Sequence, residues 1–488
     1  MKKNNDILHE LVQSLTKAEK RFISLHSQSE SKEKIYLKIF KVIEKQKDYD
    51  EDELLSFFSG NDKKNQLGFA KNYLQNLILK NLRFFHSDLK ANITCKNLLI
   101  EIEILFWKGQ YKLAEKTILK TKKIAQKYEI FSVLEELNYW KIRIHNALVK
   151  IDKTTRTTTQ TDSREYINKY LNILEYKELI NTAQLLIKES EVIRDGSEKK
   201  TYLTLLNNPL LKDISSAQSN EAKYNQYVLN SVLYNIIGEH EKSEKYRTDL
   251  LNFLESNPHL IEENPIHYIA ALHNILNHHL ITHDYDNFNI YLKKLKDYNF
   301  NMPHERANVF SALCLFELGY YLERRDYKNA IQFIEETVVK YENVTNLINP
   351  EHKVILNHHA VLAYYHSQQF NKALKWVNKV LIVNNKGLRL DIKASSYVLN
   401  ILTHYELNNL ELLPYLSKST ITFLKSSKML KKADEIFLSI FYNTSLLNNQ
   451  KEKNEFLIKK KHELQQCKVN SIIKIDINYV DWISSKLK

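Results

Sequence analysis

The chain has 488 residues, a net charge of +13, and only seven glycines and six prolines. Average usage is about 7% glycine and about 5% proline, so the composition favours long helices and argues against strand-and-turn architectures. A hydrophobic share of 43% beside 26% charged residues excludes a disordered chain, and no apolar run approaches the ~20 residues that span a bilayer.

Cys95, Cys314 and Cys467 are odd in number and widely spaced, without a CxxC pair. Neither a disulfide framework nor a zinc ligand set is indicated, and a reducing compartment is expected. The opening "MKKNNDILHELVQSL" is too polar for a secretory signal. The expectation is a cytoplasmic protein with no membrane association and no cofactor. Of the 71 basic residues only eleven are arginine. Arginine's planar fork is the preferred tool for phosphates and guanine edges, so this charge argues for nucleic acid less than an arginine-rich one does.

Residues 1–90 read as an N-terminal helical domain. In "SLTKAEKRFISL", Thr16 and Glu19 form a capping box, "KIYLKIFKVIEKQ" is a second helix, "DYDEDELLSFF" a third that stops at Gly60, and "LGFAKNYLQNLILKNLRFF" a fourth. The fourth has Phe69, Tyr73, Leu77, Leu82 and Phe85 as its apolar face. This set is either a cap over the first repeat or a helix-turn-helix. In the second case Lys64, Gln66, Lys71, Asn72 and Gln75 are the DNA-reading candidates.

Residues 91–450 are periodic. "NLLIEIEILFW" and the stretch bearing Leu113, Ala114, Ile118, Ile124, Ala125 and Tyr128 each carry apolar residues at helical spacing, with Gly109 between them. Gly109 therefore marks a turn, with Tyr111 packing across the hairpin and Ala114 small where the helices approach. The arrangement recurs at Gly238 with His240, Tyr285, Tyr327 with Ala330, Phe370 with Ala373, and Leu410. From His240 onward the steps are 45, 42, 43 and 40 residues, one helical hairpin per unit. The gap from Tyr111 to His240 accommodates two more turns near 154 and 197, at "KTTRTTTQTDS" (153–163) and at Gly196. Pro258, Pro265, Pro303 and Pro350 fall after second helices.

The Gly109, Tyr111, Ala114 pattern resembles the tetratricopeptide-repeat (TPR) superfamily over roughly residues 98–448. Tyr327 with Ala330 and Phe370 with Ala373 match its latter half. Most units lack the glycine, Leu410 replaces the aromatic residue, and the steps exceed the ~34 residues usual for the family. The fold expected is all-α, a right-handed superhelix (α-solenoid) of antiparallel hairpins following the N-terminal helical domain. Residues 451–488 form a C-terminal capping segment in which Trp482 and Ile483 of "NYVDWISSKLK" cover the last hairpin, after a β-prone "SIIKIDI". Trp107, Trp140 and Trp376 are expected to pack between helices.

Lys112, Lys116, Lys120, Lys123 and Lys127 share about 80° of helix circumference, a solvated face or a site for an anionic partner. His279 and His283 stand four residues apart, and His358, His359 and His366 cluster in sequence. Neither set has the further ligands of a metal site, and no metal is expected. GxxxxGK[ST], GxGxxG and GxSxG motifs are absent from the sequence, and no enzyme activity is expected. The resemblance implies a non-enzymatic scaffold that takes a peptide or protein in the groove of the superhelix. The alternative is a DNA-binding transcriptional regulator in which the repeats sense a peptide or dimerise.

Overall fold

In the computed structural model, which describes residues 6–27, 35–60, 62–150, 153–189, 196–298, 303–338, 348–383, 389–442, 450–467 and 478–487, the described residues are helical and contain no strand. They fall into two compact units. Unit 1 holds residues 1–192 and 204–226; unit 2 holds residues 193–203 and 227–488.

Unit 1 begins with α1 (Ile7–Ser14), α2 (Lys17–Ser27), α3 (Ile35–Lys45), α4 (Glu51–Leu55) and α5 (Lys63–Phe85). Asp6 caps α1 by accepting from the backbone N–H groups of Leu8 and His9, a helix absent from the sequence reading. The capping box of α2 is present: Glu19 accepts from Thr16 N at 2.6 Å, and Thr16 Oγ1 accepts from Glu19 N at 3.2 Å. Leu8, Val12, Ile23, Ile39, Phe40, Ile43, Leu54, Leu67, Leu74 and Ile78 form one core. The buried face of α5 is therefore Leu67, Leu74 and Ile78. Of the five residues expected to form that face, Phe69, Tyr73 and Phe85 point to solvent, with Phe69 78% exposed.

Next come α6 (Ala91–Trp107), α7 (Tyr111–Lys127), α8 (Phe131–Ala147) and α9 (Lys153–Glu189). Each packs on its successor, and α6 also packs on α8. The Thr-rich stretch is not a turn: α9 runs through it for 37 residues. Thr157, Thr158 and Thr161 turn their hydroxyls back to the carbonyls of Lys153, Thr154 and Thr157, so the helix satisfies their polar groups internally. The turn lies just before, at Val149. Gly196 opens α10 (Gly196–Leu206), and residues 190–195 are outside the described set. The short α11 (Pro209–Lys212) leads into α12 (Asn220–Ile236). Tyr176 of α9 donates to Leu210 O at 2.6 Å, and Gln226 of α12 donates to Leu210 O and Asp213 O.

Unit 2 continues with α13 (His240–Glu255), α14 (Pro258–Glu263), α15 (Pro265–Ile281), α16 (Tyr285–Asp297), α17 (Pro303–Glu323) and α18 (Tyr327–Phe333). It ends with α19 (Pro350–His366), α20 (Phe370–Leu381), α21 (Leu390–Glu406), α22 (Leu413–Ser426), α23 (Lys432–Leu438), α24 (Gln450–Gln466) and α25 (Tyr479–Lys486). Contacts run α13 to α15, α15 to α16 and α17, α17 to α18 and α19, α19 to α20 and α21, and α21 to α22. Helices of this unit thus pack on their neighbours in the chain and on the next but one. Proline stands at the first position of α14, α15, α17 and α19, where no N–H is missed.

Every repeat anchor is the first residue of a second helix or of the 3-10 turn leading into it: Tyr111, His240, Tyr285, Tyr327, Phe370 and Leu410. Two residues earlier the backbone is left-handed in all six, at Gly109, Gly238, His283, Arg325, Gln368 and Asn408, with φ between 57° and 85°. The next N–H then bonds back to the first helix, as Gln110 N to Leu105 O at 2.8 Å and Asp326 N to Tyr321 O at 2.8 Å. That is the Schellman closure. Three residues after the anchor the side chain is fully buried each time, at Ala114, Ser243, Phe288, Ala330, Ala373 and Leu413. At the C-terminus, Tyr479, Trp482 and Ile483 of α25 are buried, Tyr479 donates to Asp434 at 2.8 Å, and Trp482 Nε1 donates to Tyr365 OH at 3.2 Å. "SIIKIDI" lies outside the described residues.

Candidate functional site

The first hairpin ends α6 at the left-handed Gly109, and Tyr111 then packs edge-on against Phe106 with centroids 5.5 Å apart. This closure sets the C-terminal turn of α6 beside α8. Arg143 of α8 lies over four rings there, with Cζ 4.5 Å from the Phe106 centroid, 5.1 Å from Trp140, 5.4 Å from Trp107 and 5.6 Å from Tyr139. One guanidinium N–H donates to Tyr139 OH at 3.1 Å. Among the described residues Arg143 pairs with no carboxylate. Its remaining donors can serve an external acceptor.

Around the arginine the surface is apolar and open. Trp107 is 68% exposed and Tyr139 51%, against 5% for Trp140. Ile100, Ile104 and Trp107 lie at i, i+4 and i+7 on the face of α6 opposite its buried Cys95, Leu98, Leu99 and Ile102. The expectation that Trp107 packs between helices is thus corrected, while Trp140 and Trp376 are buried. The sequence reading missed Ile100, Ile104, Tyr139 and Arg143 altogether. A signal was present: "LLIEIEILFW" has more apolar residues than one buried stripe can use.

Of the six lysines of α7, the five of the stripe, Lys112, Lys116, Lys120, Lys123 and Lys127, are all exposed and none pairs with a carboxylate among the described residues, whereas Lys122 lies 3.3 Å from Asp162. Glu115, on the same helix, faces His145 at 3.5 Å and Lys150 at 3.6 Å instead. Leu113 is exposed rather than buried, because it sits about 100° around the helix from Ala114. The lysine stripe and the Arg143 cluster occupy second and first helices respectively, so they are separate features.

In the N-terminal bundle Lys64, Gln66 and Asn72 are exposed and Gln75 is half-buried. Lys71 is committed elsewhere: its ammonium donates to Asp6 and, at 2.9 Å, to Tyr49 OH. Hydrogen bonding to Asp6 leads the interactions that raise its pKa, against the opposing pull of burial. The structure does not bring these five residues into one free polar face.

The histidine pairs of the sequence also separate. His283 has left α15, sits at φ 57° in the turn, and bonds to Tyr285 OH at 3.0 Å. His279 instead meets Asp284 at 3.2 Å. His358 bonds Ser396 at 2.9 Å, and His366 stacks on Tyr327. No described helix is long and apolar enough to cross a membrane. No protein-family model matches the sequence, and no curated protein matches it significantly.

Proposed function

We propose that the chain is a non-enzymatic interaction scaffold: a TPR-like α-solenoid of stacked hairpins that takes a protein or peptide on its first-helix face. The observation that carries this reading is the Arg143 cluster, where α6 and α8 present Trp107, Tyr139 and a guanidinium with donors to spare beside Ile100 and Ile104. Tryptophan, tyrosine and arginine dominate the binding energy of protein interfaces, and a contiguous exposed apolar patch of this kind marks a contact surface. The sequential packing of helices supports the stacked arrangement. The ligand that fits is a segment with an apolar anchor and a carboxylate or backbone carbonyl for Arg143.

The test is affinity capture from the native host, nuclease-treated, with wild type beside Trp107→Ala and Arg143→Ala. A protein retained by wild type and lost at least tenfold in both variants supports the scaffold. Capture unchanged by either variant removes this surface from the reading, and a complex that nuclease destroys returns attention to the N-terminal bundle.

A further inference from the structure

We propose that Glu244, His278 and His279 of unit 2 form a binding site for a divalent transition-metal ion of the zinc class. Glu244 projects from the first turns of α13, and the two histidines come from the last turn of α15. One ligand atom from each lies within 4.8 Å of the other two. Glu244 Oε2 and His278 Nε2 are 3.2 Å apart, close to the ~3.3 Å edge of a tetrahedron with metal–ligand distances of about 2.0 Å. Glu244 is partly exposed and flexible, so it can close the remaining gap. The histidines are held, with side chains 9% and 5% exposed.

The surrounding groups suit a metal ligand set. The left-handed turn at His283 returns Asp284 to His279, where its carboxylate accepts from Nδ1 at 3.2 Å. Donation from Nδ1–H fixes the tautomer and leaves the lone pair on Nε2, the carboxylate–histidine arrangement that orients metal-bound imidazoles. Tyr291 stacks on the His279 ring at 5.4 Å and 9°. Two imidazole nitrogens, borderline donors, outweigh the single hard carboxylate and favour zinc over calcium or magnesium, and three protein ligands leave one position for water. Arg247, on the same helix as Glu244, adds a positive charge near His278. Affinity is therefore expected below that of closed structural zinc sites. The metal would join α13 to α15 across successive hairpins.

The test uses the full chain without a histidine tag, titrated with Co2+ and then Zn2+. Expected are one saturable site, visible Co2+ bands of tetrahedral intensity bleached by Zn2+, and a melting temperature that rises with metal concentration. Glu244→Gln, which alters a partly exposed side chain, and His278→Gln should each weaken binding at least tenfold with folding intact. Asp284→Asn, a positioning change, should weaken it 10- to 100-fold. No saturable binding by wild type overturns the proposal, and so does binding that survives both Glu244→Gln and His278→Gln, since the metal then sits on other histidines.

Discussion

First helices in the two units meet opposite fates. In unit 1, α6 and α8 bury one face and leave Ile100, Ile104, Trp107 and Tyr139 in solvent. In unit 2, α19 buries Val354 and nearly every residue from Leu356 to Tyr365, and α21 buries most of Ala394 to Thr403. Polar side chains are enclosed there as well: His273 of α15 stacks on His352 of α19 at 5.6 Å, and His352 is bonded to Ser311 of α17 at 2.7 Å. A helix packed on both sides has no surface to offer a partner. The same hairpin unit thus leaves an apolar face in solvent where packing stops early and encloses it where packing continues.

The largest effect should come from charging the rigid region. Ala330 and Ala373 are fully buried where the second helix crosses the first. A carboxylate there would be taken out of water into the apolar core, so Ala330→Glu should cost about 4 kcal/mol or more and unfold part of unit 2. Chemical denaturation with hydrogen exchange measures it. An unchanged midpoint would break both the assigned hairpin register and the contrast drawn from it.

Acid sharpens the same contrast. Burial, helped by the neighbouring His352, pushes the His273 pKa down to about 4 from 6.5. The unfolded chain therefore takes up a proton before the native one does. Stability from this group is fully present above pH 6.5 and is lost as the pH falls toward 4, on the order of 3 kcal/mol. Burial likewise depresses His352 and His278, in the same direction. Denaturation curves at pH 7 and pH 4.5 should show the loss, and His273→Gln should flatten it; an equal slope in the variant would mean that His273 is hydrated in solution. Unit 1 makes the complementary case. Because Trp107 is 68% exposed, Trp107→Ala should alter stability by less than about 0.5 kcal/mol while abolishing capture of a partner. A large fall in melting temperature would instead class the ring with the core.

Hairpin spacing was legible in the sequence because it rests on local chemistry: an aromatic or apolar residue opening each second helix, and a residue small or apolar enough to be enclosed three positions on. Tyr111, His240, Tyr285, Tyr327, Phe370 and Leu410 all open the segment they were expected to mark. The candidate surface was much less legible. Trp107 and Trp140 have the same residue type and opposite burial, and only the packing of α6 against α8 separates them. Glu244 is more than thirty residues from His278, a distance at which periodicity says nothing about contact. Threonine misled for a different reason: its turn preference comes from bonding to nearby backbone, and in α9 that bonding was satisfied inside a helix.

A further effect, a gain in stability, concerns a feature both regions share, the left-handed turn. At Gly109 and Gly238 an added Cβ would meet nothing within 4 Å, so glycine serves the backbone conformation alone. The other turns pay a strain that depends on side-chain shape. Val149 is β-branched at φ 56°, Gln368 is unbranched at φ 59°, and Asn408 at φ 59° is a residue that tolerates this region. Replacement by glycine relieves that strain but also loosens the unfolded chain, by about 0.4–1 kcal/mol. The balance predicts a ranking: Val149→Gly should gain about 1 kcal/mol, Gln368→Gly about half of that, and Asn408→Gly close to nothing. Because Val149 is in unit 1 and Gln368 in unit 2, the order must follow side-chain shape and not location. If Gln368→Gly gained more than Val149→Gly, the denser packing of unit 2 would be acting on its turns as well as on its helices.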